Sequence, residues 1–540
     1  MSKRGPESRR PGTVPPRLYG LALVLLVLLV YGQTLSFDFV KLDDQQYVTE
    51  NEHVLQGLSP ASIRWAFDPS GYAANWHPLV WLSLMLDVEL YGTWPGGFHL
   101  TAVLLHAANT LLLVALLGRL TGETGKSFVV AGLFAVHPLH VESVAWVTER
   151  KDMLSTFFGL LSLTSYAHFL NGHRPAWYLA AWFCLLFSLM SKQMFVTLPC
   201  LLLLLDFWPL QRMTSTVTTR SLLRLIGEKA PFAALSAVFC FVALWTQTVG
   251  EAVQSWERIP LDRRLSNAVV SYVMYLSQTF WPVNLAVFYP YSPTARSWWE
   301  VAACLVLLAG ITAGAWLQRQ RRPYLLTGWL WYLGTLLPVI GIIQVGDQAR
   351  ADRYMYFPLV GVLIAATWLT ADVIRWCFQS PRVAPVFAAV VLMVSSALAW
   401  NQTRYWRNSI SLFTHTLQVT DDNWLAHATL AAALMDAPEQ SREAERHLRE
   451  SLRIRPNNPI AHYNLALVLS DQGDLAQANS HFRQALVLKP DHFRARLLLC
   501  LNLKRLGQRE ELADELARFD ALPMSLPAEV RSALDTLRSP

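Results

Sequence analysis

Cysteine is scarce and poorly placed for structural chemistry. Of the six in 540 residues, Cys184, Cys200, Cys240, Cys304 and Cys377 fall inside apolar segments and Cys500 lies in a later, more polar region. That distribution excludes a disulfide framework and the short ligand spacings of a structural zinc site. Charge is thin as well: 16% of residues are charged against 53% hydrophobic, and the mean hydropathy is +0.28. A chain this apolar is not a soluble protein, and one this long carries more than a membrane bundle. The net charge of +6 comes from lysines and arginines scattered between apolar runs. This is the pattern of membrane topology, so membrane lipid is an expected partner and nucleic acid is not. No small-residue cleavage site follows the first apolar run, Leu18 to Phe37, which comes after Lys3, Arg4, Arg9, Arg10 and Arg17. The run reads as a retained anchor with a cytoplasmic amino terminus.

Further spans are expected at 97–118, 127–147, 152–170, 175–190, 193–210, 230–249, 298–318, 324–343, 354–374 and 383–400, making about eleven crossings of bilayer length. Alternation then leaves more of the basic residues on the cytoplasmic side, as the positive-inside rule asks. The apolar run 268–289 would add a crossing and invert that bias. Trp281-Pro282 interrupts it, so it is read as re-entrant or lateral.

Beyond Trp400 the long apolar runs stop and a 34-residue period appears. Ala444 and Ala478, Pro456 and Pro490, Ala461 and Ala495, Gly473 and Gly507, and Leu448, Phe482 and Leu516 all recur at that spacing. Small residues let two helices approach, a large apolar residue fills between them and proline stops the second, which is the tetratricopeptide pattern. A half unit around Trp406, Phe413 and Leu417 precedes it. The fold expected is all-α: a polytopic membrane helix bundle followed by a tetratricopeptide α-solenoid. Its parts are a basic cytoplasmic tail at 1–17, a membrane domain at 18–402 with a long first outer loop at 38–96, repeats facing outside at 403–525, and a tail at 526–540.

Chemistry is expected on the outer face. Asp43-Asp44 lies just past the first span, where a carboxylate pair is a candidate for proton or metal work, the alternative being a solvated loop with helix-capping aspartates. Trp76 and His77 open a second interfacial segment in the same loop. His137, His140, Glu142, Glu149, Arg150, Lys151 and Asp152 cluster at the outer end of the third span. His137 and His140 could join Asp43-Asp44 around a divalent metal, although lone membrane histidines are usually hydrogen-bonded structural groups. Arg150 and Lys151, with Lys192 and Arg353 at two other outer helix ends, are placed to neutralise a lipid-linked phosphate.

Phe39-Val40-Lys41-Leu42-Asp43-Asp44, the His137 to Asp152 stretch, Ser191-Lys192-Gln193, Arg353-Tyr354-Met355-Tyr356 and the terminal repeats together resemble bacterial relatives of the transmembrane and tetratricopeptide-repeat O-mannosyltransferases, which are GT-C membrane glycosyltransferases. The resemblance implies a polyprenyl-phosphate sugar donor, an acidic motif in the first outer loop, and an acceptor site facing the lumen or periplasm. A mannose-like hexose would pass, with inversion, to a hydroxyl of a protein or glycan acceptor held by the repeats. Asp43 or Asp44 is then the catalytic base and Arg150, Lys151, Lys192 and Arg353 bind donor phosphate. His137, His140, Glu142, Glu149, Tyr354, Tyr356, Trp76 and His77 orient donor or acceptor, and a divalent metal remains an option at Asp43 and Asp44. A GC-rich bacterial composition points to the inner membrane with a periplasmic site. A lipid-linked sugar flippase would need charges within the membrane, and a periplasmic scaffold would not need so many crossings.

Overall fold

The computed structural model describes residues 16–69, 72–213, 218–292, 296–378, 380–520 and 528–538. The basic tail expected at 1–17, except its last two residues, lies outside the described residues, as do parts of the tail at 526–540. The chain divides into two compact units, Met1–Asn408 and Ser409–Pro540.

Among the described residues of the first unit seven helices are long and apolar enough to cross a membrane: Arg17–Ser36, Pro95–Thr121, Val147–Gly172, Thr219–Val249, Trp298–Leu317, Leu359–Cys377 and Val383–Arg407. Only 6% of the apolar window in Trp298–Leu317 is buried by protein, so that helix needs lipid around it. The other expected crossings are less regular. The one at 127–147 is a pair, Thr124–Val136 and Pro138–Ala145, bent by 54° at His137-Pro138, because proline cannot continue the backbone ladder. Pro175–Leu189, Gln193–Phe207 and Pro323–Leu336 are shorter than a bilayer core. Helix Pro323–Leu336 crosses Leu359–Cys377 at two glycines: a Cβ on Gly328 would lie 2.3 Å from the Gly361 carbonyl oxygen, and one on Gly361 would lie 2.4 Å from that of Gly328.

The run expected to be re-entrant or lateral is one helix, Leu261–Phe280, ending before Trp281-Pro282. Its amphipathicity is inverted. Arg264, Asn267, Ser271, Tyr275, Gln278 and Thr279 are buried, while Leu261, Leu265 and Phe280 are exposed and Val269, Val273 and Leu276 complete an outward apolar stripe. The buried face is bonded at both ends and between them: Arg264 donates to Gln254 O at 2.7 Å, Asn267 to Ala349 O at 2.7 Å, and Gln278 to the Tyr289 hydroxyl at 3.1 Å. Gln254 N–H in turn donates to Gln344 O, and Tyr289 pairs with Arg350 and donates to Asp352, so both ends of the helix are tied to the 344–352 stretch. Spin labels at 261, 265, 269, 276 and 280 should therefore report one membrane depth by collision accessibility. A steady gradient over the helix's length of about 30 Å would contradict this placement.

The second unit stacks helix pairs at the repeat period: Trp424–Leu434 with Ser441–Ile454, Pro459–Asp471 with Leu475–Leu488, and Phe493–Arg505 with Arg509–Asp520. Ala444, Ala461, Ala478 and Ala495 are fully buried where helices approach, and Phe482 fills the space between them. Trp406, expected in a half repeat, belongs instead to the first unit and packs on Trp146 at 6.0 Å.

One pair of repeat positions changes chemistry along the stack. His427 and His447 meet Nδ1 to Nδ1 at 2.8 Å, His462 and His481 at 3.0 Å, and in the next repeat Arg496 donates to Glu515. Burial and the neighbouring His447 hold His427 down to about 4, with Arg446 and Arg453 adding to the effect and Glu450 opposing it. Burial also lowers His447, His462 and His481. Because these folded values lie below the unfolded one, the unfolded chain takes up protons first, and stability is lost as pH falls from about 6.5 toward 4. Hydrogen exchange of residues 424–488 in the full chain, corrected for intrinsic rates, should accelerate at pH 5 relative to pH 7.5. The double change His427→Arg, His447→Glu, which copies the Arg496–Glu515 pair, should blunt that response.

Candidate functional site

After the first long helix the chain passes through Val40 to Thr49, where Gln45–Thr49 forms one π-helical turn. The two aspartates at this bend have different surroundings. Asp44 is 1% exposed, and both its carboxylate oxygens are used: Oδ2 accepts from Val40 N at 2.9 Å, and Oδ1 accepts from Thr148 N at 3.1 Å and Thr148 Oγ1 at 2.6 Å. Burial raises it to about 6 against the lowering effect of those bonds. Asp43 is partly exposed, and among the described residues nothing hydrogen-bonds its carboxylate. Desolvation raises its pKa, while the charges of Lys151 and Arg353 pull it back. One aspartate pins the loop to Thr148 and the other is left free.

Facing Asp43 is a two-layer charge cluster. Glu149, at the N-terminus of helix Arg150–Gly172, is 1% exposed and binds Lys151 at 3.2 Å, Lys192 at 3.1 Å and Arg353 Nε at 3.1 Å. Glu142 accepts from the Arg353 backbone N–H at 2.9 Å and from its guanidinium. Asp152 binds Lys192 at 2.6 Å and accepts from Ser143 Oγ at 3.2 Å. The side-chain exposures separate the layers: 1 to 4% for the three carboxylates, 13 to 16% for the three cations. The acids form a floor and the cations face the opening. Each lysine ammonium has three donors, and the Lys151 ion pair uses one of them, so capacity remains for an incoming anion. Arg353 is steadied by the Trp146 ring at 5.4 Å and the Tyr354 ring at 5.2 Å, and Tyr354 OH accepts from Gln348 at 2.8 Å.

Tyr47 links the two parts of the site. Lys151 lies over its ring at 5.1 Å, and His77 stacks on it at 5.5 Å. Burial and the nearby Lys151 keep His77 neutral, its pKa well below the ordinary value. The Trp76 carbonyl accepts from Gln193 at 3.2 Å, joining the first loop to the segment that carries Lys192.

Several expected site residues lie elsewhere. Arg150 is fully buried, pairs with Asp87 at 2.8 Å and donates to Ser83 Oγ at 3.0 Å and Phe98 O at 2.7 Å. Its expected place among the phosphate-facing cations is corrected: neighbouring residues on a helix point about 100° apart, so Lys151 faces the opening and Arg150 does not. His137 is bonded to Thr279 O at 2.9 Å and accepts from Leu139 N at 3.3 Å, and His140 is bonded to Phe134 O at 2.7 Å. Tyr356 OH meets His106 at 2.8 Å and Asn109 at 3.2 Å. These three are buried core groups, bonded into the bundle through His137 Nε2, His140 Nδ1 and the Tyr356 hydroxyl. The expected convergence of His137 and His140 with the aspartates does not occur, and among the described residues no three His, Cys, Asp or Glu side chains gather as a metal site. Thr148 and Tyr47 were not legible as site residues. Their one signal is position, Tyr47 one helical turn after Asp43 and Thr148 next to Glu149.

These features define a class: an all-helical protein with several helices of membrane-spanning character, a carboxylate and cation cluster at one end of the bundle, and a tetratricopeptide array. The tetratricopeptide repeat family model matches residues 459–492. Over most of its length the chain is similar to protein O-mannosyl-transferases of animals. It is 24% identical to human protein O-mannosyl-transferase TMTC1, over 91% of this chain and 57% of that protein. It is 23% identical to mouse protein O-mannosyl-transferase TMTC4, over 88% and 67% respectively. It is also 23% identical to protein O-mannosyl-transferase F38B6.6 of Caenorhabditis elegans, over 81% and 63%. The chain thus spans little more than half of the human relative.

Arg150→Met should destabilise the purified protein by roughly 3–5 kcal/mol, since Asp87 is left as a buried, unpaired charge. Adding Asp87→Leu should recover much of that loss in thermal unfolding. If the single variant melts as the parent does, the pair is not a structural tie.

Proposed function

We propose that this chain is a membrane glycosyltransferase. It moves a mannose-like hexose from a polyprenyl-phosphate donor to a hydroxyl of a protein or glycan acceptor, with inversion at the anomeric carbon. The observation that carries this reading is the free Asp43 carboxylate beside Lys151 and Arg353, which share Glu149 with Lys192. Asp43 takes the acceptor hydroxyl proton as the oxygen attacks. The new bond forms from acceptor oxygen to anomeric carbon, the bond from that carbon to the phosphate oxygen breaks, and polyprenyl phosphate leaves with its charge met by Lys151, Lys192 and Arg353. Asp44 holds the loop and Glu149 holds the cations. No step requires a metal, although Asp43 remains open to one. The names of the relatives support a mannosyl group and a protein acceptor, and the repeats are suited to holding that acceptor. The bias of basic residues supports a bacterial inner-membrane protein with site and repeats on the periplasmic side.

The full chain in lipid nanodiscs, given polyprenyl-phosphate mannose with labelled sugar and a hydroxyl-bearing peptide, should transfer label. Asp43→Asn should lose on the order of a hundredfold or more in kcat, with the rate of the parent falling as pH drops through the raised pKa of Asp43. Parental transfer by Asp43→Asn would overturn the mechanism.

A further inference from the structure

Helix Leu359–Cys377 begins shortly after Arg353 and, at helical rise, carries the chain about 28 Å away from it, the thickness of a hydrocarbon core. At its far end Asp372 binds Arg375 at 2.7 Å, lies 3.7 Å from Arg322 Nε and accepts from the Tyr324 hydroxyl. That one carboxylate ties the turn after Trp298–Leu317 to the end of Leu359–Cys377. The turn is closed by Arg321 N and Arg322 N, which donate to Gln318 O at 3.0 and 2.7 Å. It carries Arg319 and Arg321 beside Arg322, and Asp372 is the one acid in residues 316–324 and 370–378.

Membrane topology asks only that cations lie at this end of the bundle, in any arrangement. The arrangement here is specific. The Arg319 guanidinium is seated on the Trp316 ring at 4.4 Å and donates to the Trp316 carbonyl at 3.0 Å, so it is held in place before any ligand arrives. Among the described residues neither Arg319 nor Arg321 makes an ion pair. The neighbouring network, which Trp208 joins to Tyr324 at 6.3 Å, differs: there Asp206 and Glu228 answer Arg212 and Lys229. Trp316 is 54% and Trp376 88% exposed, each at a helix end where an indole meets lipid headgroups. The flank of Trp298–Leu317, which leads into the turn, is left to acyl chains because protein covers so little of it.

We propose that the turn at 318–322 and the end of helix Leu359–Cys377 form a binding site for diphosphatidylglycerol, across the membrane from the candidate catalytic site. Guanidinium forks hold phosphodiester oxygens through paired hydrogen bonds. Asp372 repels a phosphate placed between Arg322 and Arg375, which favours two phosphates, one on Arg319 and Arg321 and one on Arg375, over a single one bridging both loops. Arginine exceeds aspartate by enough in these segments to balance a dianionic headgroup. A basic site between helix ends, with aromatic rings beside it and uncovered helix below it, suits a lipid with its tails in the bilayer better than a soluble anion. The site stands apart from the glycosyl-transfer reading and does not rest on it.

The probe is tetraoleoyl diphosphatidylglycerol, added to the full chain purified in detergent, with retention read by native mass spectrometry. The chain should retain it, and dioleoyl phosphatidylglycerol at equal phosphate concentration should displace little of it. The double change Arg319→Lys, Arg321→Lys keeps every charge that topology needs and removes the forks, so retention should weaken roughly fivefold. Trp376→Ser should weaken it roughly threefold by removing an interfacial indole. Melting without added lipid, compared between parent and variants, separates lost binding from lost fold. Should the double variant melt early, Trp376→Ser decides alone, because its side chain lies on the surface. Equal displacement by phosphatidylglycerol would mean ordinary annular lipid and overturn the proposal. Parental retention by the lysine variant would reduce the arginines to topology charges and overturn it as well. Displacement by inorganic phosphate or by polyglutamate would make the patch a site for soluble anions or acidic proteins, which also overturns it.

Discussion

Glu149 is the buried charge around which one end of the bundle is organised. A carboxylate at 1% exposure is tolerable only if its charge is met, and three cations from three separated stretches of chain meet it. Lys151 comes from its own helix, Lys192 from the end of the next hairpin and Arg353 from a short turn far downstream. Holding them together concentrates positive charge at an opening that the acids beneath cannot fill. Position at the first turn of a helix favours the acid as well, because the helix N-terminus is electropositive. The field of the same cations opposes the desolvation of Asp43 and helps keep it ionised while it makes no hydrogen bond.

The adjacent aspartates divide two tasks that one residue could not perform. A carboxylate that accepts three hydrogen bonds is fixed in place and is a poor proton acceptor. One that accepts none is available but needs something else to position its backbone. Asp44 supplies that positioning through Thr148, which lies next to Glu149, so loop and cation layer share one anchor. Arg150 then ties the start of the same helix to Asp87 and Phe98 from the opposite side.

Much of this was legible from the chain alone. The membrane-length apolar runs, the Trp281-Pro282 stop and the repeat period are local patterns, and the helices follow them. The candidates Asp43, Lys151, Lys192 and Arg353 do converge on one opening. What misled was proximity in sequence. Arg150 and Lys151 look equivalent on paper but point about 100° apart on a helix. His137 and His140 look like ligands, but each is buried with one ring nitrogen on a carbonyl of the bundle. Helix Leu261–Phe280 carries the start of a run that reads as apolar, yet its polar residues face inward and an apolar stripe faces out.

Periodicity in the sequence determined the class of fold, because backbone hydrogen bonds must be satisfied locally wherever lipid replaces water, and because small residues recurring at one spacing can stack only one way. It also placed acids and bases near one end of the spans. Only tertiary structure decided which of them are paired and which are left free. Whether a carboxylate is free or spent depends on partners such as Thr148, 104 positions away from Asp44, and no local pattern encodes a contact made across that distance.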